Sequence, residues 1–435
     1  MKQIALILTA HFLLLNTFGQ ITFSSLDDVF SYADKNSFIS RQGAVKERIN
    51  NSEQSISKSA LLPNVNVFSL AEYYPVIGSM VVPGKLLGVP DNSYQKVQFG
   101  LPYNFVGGVE VSMPVVSFEK WEQVKLVRLQ SLASTLDTKT QIENLHINLA
   151  RLYYEALLYK KLIVLNEENE KVTKELTRVV EERKKNNVLN PADYNRSQNL
   201  SLGVINAGVE YRKLYAVTLI NLKAALNLGH KDSLVLRETL TEVEAALPGN
   251  EADITNRAAV KEAEAQVAVA NQVLAASKKS ALPKVSLYGK YAYHLQVKPG
   301  KDNQQVNFDV SSVGLRLDVP IFSGKYYQLQ TKKSGAQVQL AKLQEEQVKV
   351  SLQQEHANWQ TNYKSAINKQ QQFKRKIHFA ADNLRIAQLG FKEGVTEFDE
   401  LSNIFMENIQ VQIESLQNTT DGLVYKLLLT RIKTL

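Results

Sequence analysis

The 435 residues contain no cysteine. That excludes disulfides, thiolate metal sites and a lipid-modified N-terminal cysteine. Histidine is nearly as sparse: His11, His146, His230, His294, His356 and His378 are scattered without ligand spacing. There is no HExxH, no phosphate loop and no grouping of nucleophile and base, so the chain reads as a non-enzyme with neither cofactor nor metal. Beyond the first twenty positions no apolar run nears the 18 or so residues of a spanning helix. Proline and glycine are both missing from Lys120 to Asn186. Nor is charge of one sign in large excess. The formal net charge is +8, and bases alternate with acids, as in Lys171-Val172-Thr173-Lys174-Glu175. A solvated helix face accounts for that mixture, and a nucleic-acid surface does not.

The first segment and an internal duplication are what the chain does have. Met1 to about Gly19 reads as a secretory signal peptide: Lys2, an apolar stretch from Ile4 to Leu15, then Thr17-Phe18-Gly19. An exported protein without a transmembrane helix is expected. Ala60-Leu61-Leu62-Pro63-Asn64-Val65 is echoed by Ser280-Ala281-Leu282-Pro283-Lys284-Val285, and Gly108-Val109-Glu110-Val111-Ser112-Met113-Pro114 by Gly314-Leu315-Arg316-Leu317-Asp318-Val319-Pro320. Pro114 to Asn190 and Pro320 to Thr396 both span 76 positions. The repeating unit is strand–strand–long helix–helix. Its first copy is assigned to residues 20–228 and its second to 254–435, with 229–253 as a connector in which Leu234-Val235-Leu236 has strand character.

Period-two alternation marks strands at about 63–74, 106–117, 283–294 and 309–321. The first is the least regular, since Val65 and Val67 share one face while Phe68 and Leu70 take the other. About ten residues suffice for a tilted strand to cross a bilayer. Aromatics gather at the strand ends, Phe118 and Trp121 after the second and Phe322 and Tyr326 after the fourth, as membrane interfaces favour. Helices are expected at about 120–187, 191–228, 326–394 and 397–432. Ile142, Leu145, Leu149, Leu152, Ala156, Tyr159 and Ile163 step by three and four along the first, a heptad seam. Some 65 residues at 1.5 Å each make a helix of roughly 100 Å, too long for the inside of a globular domain. Asn190 with Pro191 and Asp193, and Thr396 with Asp399, read as helix N-caps. Gly394 suits a left-handed helix end, as does Asn187 in the first half. Residues 75–104 read as a long loop, and 294–307 as its shorter counterpart.

In order and spacing these marks resemble the TolC family of outer-membrane efflux channels. The resemblance spans the mature chain and is carried by Phe23-Ser24-Ser25-Leu26-Asp27-Asp28, the doubled Leu-Pro, Val319-Pro320-Ile321-Phe322-Ser323-Gly324 and Gly394-Val395-Thr396-Glu397-Phe398-Asp399. It implies a mainly α protein with a membrane β-barrel portion. Three copies would close a twelve-stranded outer-membrane barrel, continued by a periplasmic α-helical barrel. It also implies a homotrimer in outer-membrane lipid that serves as the passive exit of a tripartite efflux or type I secretion system. A periplasmic adaptor and an inner-membrane pump of RND or ABC type would open it at its tip. By the same resemblance Asp399 would form an acidic pore constriction, a role compatible with capping, while Ser402 stands where the family often has a second acid. Val188, Leu189, Asn190, Gly394, Val395 and Thr396 would be the adaptor-contact tips, and Phe118, Trp121, Phe322 and Tyr326 the membrane-interface aromatics. A soluble periplasmic coiled-coil adaptor or scaffold is the alternative. It accounts for the helices but not for paired strands with aromatic ends. A diffusion porin would need many more strands and no such helices.

Overall fold

The computed structural model describes residues 20–88, 93–186, 190–243, 254–300 and 304–431. The expected signal peptide, the tip residues Val188 and Leu189, Asn187 and positions 244–253 of the connector lie outside the described residues.

The chain opens with strand β1 (Gln20–Phe23), helix α1 (Leu26–Asn36) and helix α2 (Phe38–Ser59). Ser25 caps α1 in a full capping box: its hydroxyl accepts from the Asp28 N–H while the Asp28 carboxylate accepts from the Ser25 N–H. Pro63 stops the helical tract, and β2 (Asn64–Tyr73) follows. A small hairpin, β3 (Ser79–Pro83) and β4 (Tyr94–Gln98), sits where a plain loop was expected. Then come β5 (Tyr103–Val116), α3 (Phe118–Lys185), α4 (Pro191–Ala225) and β6 (Ser233–Leu236). The second half runs α5 (Ala258–Lys279), β7 (Lys284–Lys298), β8 (Gln304–Asp318), α6 (Tyr326–Glu393) and α7 (Phe398–Arg431). The two halves match closely in length: α2 and α5 have 22 residues each, α3 and α6 have 68 each, and α4 and α7 have 35 and 34.

Three strands are longer than their alternation suggested, β5 with 14 residues among them. β7 and β8 hold 15 residues each, so the expected loop at 294–307 shrinks to the few residues between Lys298 and Gln304. β2, β5, β7 and β8 form one antiparallel sheet in that order. A bulge between Pro114 and Val116 in β5 accommodates a proline that cannot donate to the ladder.

The chain divides into two compact units. One comprises the N-terminal segment to Lys46 with 135–262 and 345 onward; the other comprises 47–134 and 263–344 and holds the sheet. In the first unit β6 pairs in parallel with β1, tying the connector to the N-terminus. Around that pair Val29, Ala33, Leu149, Tyr153, Ala156, Leu222 and Leu226 are fully buried. Each large aliphatic side chain buried this way contributes about 1.5–3 kcal/mol. The buried line of α3 departs from the expected seam. Leu145, Leu149 and Ala156 lie on it, but Tyr159 and Ile163 are half-exposed, and Tyr153, Leu157 and Leu162 take the inner positions. A second line of buried residues, Glu143, His146, Ala150, Tyr153 and Leu157, runs beside it at spacings of three and four.

Candidate functional site

The four-stranded sheet has two chemically different faces. Residues directly opposite across a ladder share a face, so the register assigns every side chain. One face carries Val65, Val111 and Val313 in one row, and Met113, Leu287 and Leu315 in the next. Those side chains are open to the surroundings: Val67 and Val313 are each 82% exposed and Leu315 is 70% exposed. The opposite face carries Asn66, Glu110, Lys290 and Ser312 in a row, with Arg316 and Asp318 beyond. Side chains crowd on this polar face, as they do on the inside of a curled sheet. Ala292 is fully buried, Val106 nearly so, and a Cβ at Gly108 would meet the Tyr291 carbonyl oxygen at 2.3 Å. Only glycine fits there. Exposed apolar side chains on one face, with polar groups gathered on the other, are inverted relative to a water-soluble sheet. Among the described residues both outer strands, β2 and β8, are edges with no further strand beside them.

Aromatic rings bracket the apolar face. At the end away from the long helices Tyr73 and Tyr103 pack at 4.8 Å. At the helix end Trp121 meets the edge of Phe118 at 5.3 Å, and Tyr326 meets Tyr327 at 5.4 Å. Phe322 is 88% exposed and Tyr326 61%, whereas Phe118 is half-buried. Beside this belt Glu122 is held by the ammonium of Lys279 at 2.7 Å, by the Gln272 amide and by Lys125 at 3.0 Å. Those hydrogen bonds, Lys279 first, pull its carboxyl down to about 2.

The helical turns lie in the other unit. Asn190 caps α4, accepting from the Ala192 N–H at 3.0 Å, with Pro191 at the first helical position. At the second turn Gly394 takes φ +81°, and the Val395 and Thr396 N–H groups both return to the Gly390 carbonyl. Thr396 therefore closes α6 and does not cap α7. Glu397 stands at the cap position, because the Leu401 N–H bonds to its carbonyl. Thr396 also lies so close to Gly390 that a Cβ there would come within 2.3 Å of its Oγ1. Val395 protrudes, 81% exposed.

Three cations bind this end together. Arg183 of α3 donates to the last carbonyls of α6, Phe391 and, at 3.0 Å, Lys392, and lies over the Phe391 ring. Lys184 sits over the Tyr194 ring at 3.3 Å. Arg196 places Nη1 3.3 Å from Asp193 and 3.4 Å from Asp399, so Asp399 has a cationic neighbour within its own chain. Beneath them Leu176, Val180, Ala387, Phe391, Phe398 and Leu401 form an apolar plug. Farther along, Arg257 joins Glu143 of α3 (2.6 Å from Nε) to Glu355 of α6 (2.7 Å from Nη1). Nothing in the sequence marked Arg183, Arg257 or the reach of Arg196 to Asp399, because these partners are remote in the chain. Glu143 did leave a trace: a charged residue placed on a buried three–four line. Among the described residues no group of three or more His, Asp or Glu is placed to hold a metal ion.

No protein-family model matches this sequence, and neither does any curated protein. Solved structures do. The outer-membrane channel OprN superposes with a TM-score of 0.78 at 15% identity, over 94% of this chain and 89% of its own. CusC, described in connection with transmembrane channel formation, gives 0.77 at 14% over 94% and 91%. The open-state MtrE outer-membrane channel of Neisseria gonorrhoeae gives 0.74 at 14% over 94% and 88%. The chain has the fold of the TolC-family outer-membrane channels. This chain carries both the two-faced sheet and the paired helix turns in one polypeptide.

Proposed function

We propose that this protein is an outer-membrane exit duct, a passive channel with a long periplasmic extension. The observation that carries the reading is the sheet: an exposed apolar face bracketed by aromatics, a polar face behind it and two unpaired edges. Lipid tolerates no open edge. Pairing β8 of one copy with β2 of the next removes every edge, and three copies give a twelve-stranded closure with the apolar face outward and the polar face lining the pore. The helices carry a matching signal. α4 exposes Leu202 and Val209, and α6 exposes Leu329, Leu343 and Val350, both sets at multiples of seven, apolar seams that further copies would cover. We further infer that the turns engage a periplasmic adaptor coupled to an inner-membrane pump of the RND or ABC type, in efflux or type I secretion. Val188, Leu189, Asn190, Gly394, Val395 and Thr396 are the contact candidates and Asp399 the constriction. Phe118, Trp121, Phe322 and Tyr326 would sit at the membrane interface.

The test is to express the chain in a Gram-negative host, wash the outer membranes with carbonate and extract them in detergent. The particle mass is then measured with detergent subtracted, followed by conductance in planar bilayers. A detergent-requiring trimer that conducts is expected. A soluble monomer or dimer in the periplasm would sink the duct and favour a coiled-coil scaffold.

A further inference from the structure

Two apolar surfaces at the same end of the sheet are left largely open among the described residues. The first is on β8, whose alternation changes phase midway. Val313, Leu315 and Leu317 lie on the apolar face, but Val306, Phe308 and Val310 lie on the polar one. These three remain 51%, 43% and 45% exposed, Phe308 with one ring face stacked on His294 at 4.9 Å, on a face that elsewhere carries Asn66, Glu110, Lys290 and Arg316. The second is the β3–β4 hairpin. Met80 pairs with Val97, and Val82 shares their face with Gln95; the two valines are half-buried, and the other side of the ribbon carries Val81, Lys96 and Tyr94. Met80 is 59% exposed, and Gly84 is the only buried residue among the described positions of the segment 75–100. A two-stranded ribbon standing free in water is marginal, so this one needs a surface to lie on.

The root of the hairpin says which way it leans. Gly100, at φ +104°, turns the chain, and the next N–H, that of Leu101, donates to Gln296 Oε1 at 3.2 Å. Gln296 lies on the polar face, in register with Asn104 and Val306. The hairpin thus rises toward the side on which Val306, Phe308 and Val310 stand. It springs from between β2 and β5. With strands about 4.8 Å apart, its own β8 is about 12 Å away across the sheet, while a β8 paired to the free edge of β2 would be about 7 Å away. The nearer surface belongs to another copy.

We propose that the β3–β4 hairpin of one protomer packs on the pore-facing side of β8 in the next, with Met80, Val82 and Val97 against Val306, Phe308 and Val310. The clasp rests on the trimeric reading. It makes each subunit joint a double one: a backbone ladder between β8 and β2, and an apolar clamp over it at the outer end.

Because the chain has no cysteine of its own, disulfide trapping needs no background removal. Two differently tagged copies are co-expressed, one with Met80→Cys and the other with Val306→Cys, and the outer membranes are mildly oxidised. A second pair, Val97→Cys with Val310→Cys, covers the neighbouring register. The control pairs Met80→Cys with Leu315→Cys, on the other face of β8. The result expected is a thiol-reversible band bearing both tags from at least one test pair, at several times the control level. A double-cysteine single copy that closes only on itself would overturn the clasp. So would the absence of any mixed band from particles whose detergent-subtracted mass is trimeric, and that outcome would leave the duct standing. A monomeric mass for the unsubstituted chain would overturn both.

Discussion

Arg257 and Glu122 are buried charges with remote partners, and each has a measurable consequence. Arg257 spans Glu143 and Glu355, with only 9% of its own side chain and 3% of that of Glu143 exposed. Removing one member of such a pair leaves an uncompensated buried charge, at a cost of about 3–5 kcal/mol. Arg257→Ala should lower the urea midpoint in detergent accordingly, and Arg257→Met combined with Glu143→Leu should recover most of the loss. An unchanged midpoint for the single variant would mean that solvent reaches Glu143. Glu122 titrates differently. Its folded-state carboxyl lies at about 2, below the roughly 4.3 of an unfolded glutamate. The stability it supplies is therefore complete above about pH 4.5 and disappears as pH falls toward 2. Glu122→Gln should flatten that acid limb of the stability–pH curve, read from unfolding midpoints between pH 5 and 2. A limb as steep as in the parent chain would place the titration elsewhere.

At the scale of the element, the sheet's outward face sets the constraint. Leu315 stands near the middle of the apolar face of β8, and Ser312 lies on the other side of the same strand. A charge on the lipid side near the bilayer midplane costs about 2–4 kcal/mol, while the pore side tolerates one. Leu315→Arg should sharply reduce the fraction of chain that assembles into urea-resistant particles in the outer membrane, and Ser312→Arg should leave it near the parental level. The reverse pattern would mean that the faces are assigned the wrong way round, and equal effects that neither face meets lipid. The same strand shows what the sequence concealed. From Val313 to Leu317 the alternation is plain, but at Ser311 and Ser312 the apolar phase flips to Val306, Phe308 and Val310, and a phase flip in a sequence looks like the end of a strand. β2 was irregular for a related reason: Phe68 and Leu70 lie on the polar face, Leu70 opposite Val106. The β3–β4 hairpin was hidden by its glycines and prolines, which read as loop. The helices were legible because the absence of breakers over some 65 residues allows little else. The cap of α7 was misplaced by one residue, since Thr396 has the chemistry of a cap but is recruited by Gly390.

At the scale of the whole molecule, the helix turns decide what a duct would pass. An isolated ring of Asp399 carboxylates would repel itself and favour cations. Within the chain, however, Asp399 shares Arg196 with Asp193, and the side chains of Arg196 and Asp399 are both more than half exposed. Exposed pairs of this kind contribute little to stability, on the order of 0–1 kcal/mol, so their removal should leave assembly intact and act on the field at the opening. In a trimer each copy would bring the set Asp193, Arg196 and Asp399 to the turns. Arg196→Ala would leave both carboxylates unbalanced, and the cation-to-anion permeability ratio should rise. Asp399→Asn would remove one of the two and lower it. Reversal potentials across a planar bilayer in a tenfold KCl gradient read both directions from single channels. Opposite shifts from the two variants would locate the turns at the constriction. If both variants kept the parental reversal potential while the channel still conducted, the narrowest point would lie elsewhere, and the pairing of Arg196 with Asp399 would be left as a tie between α4 and α7.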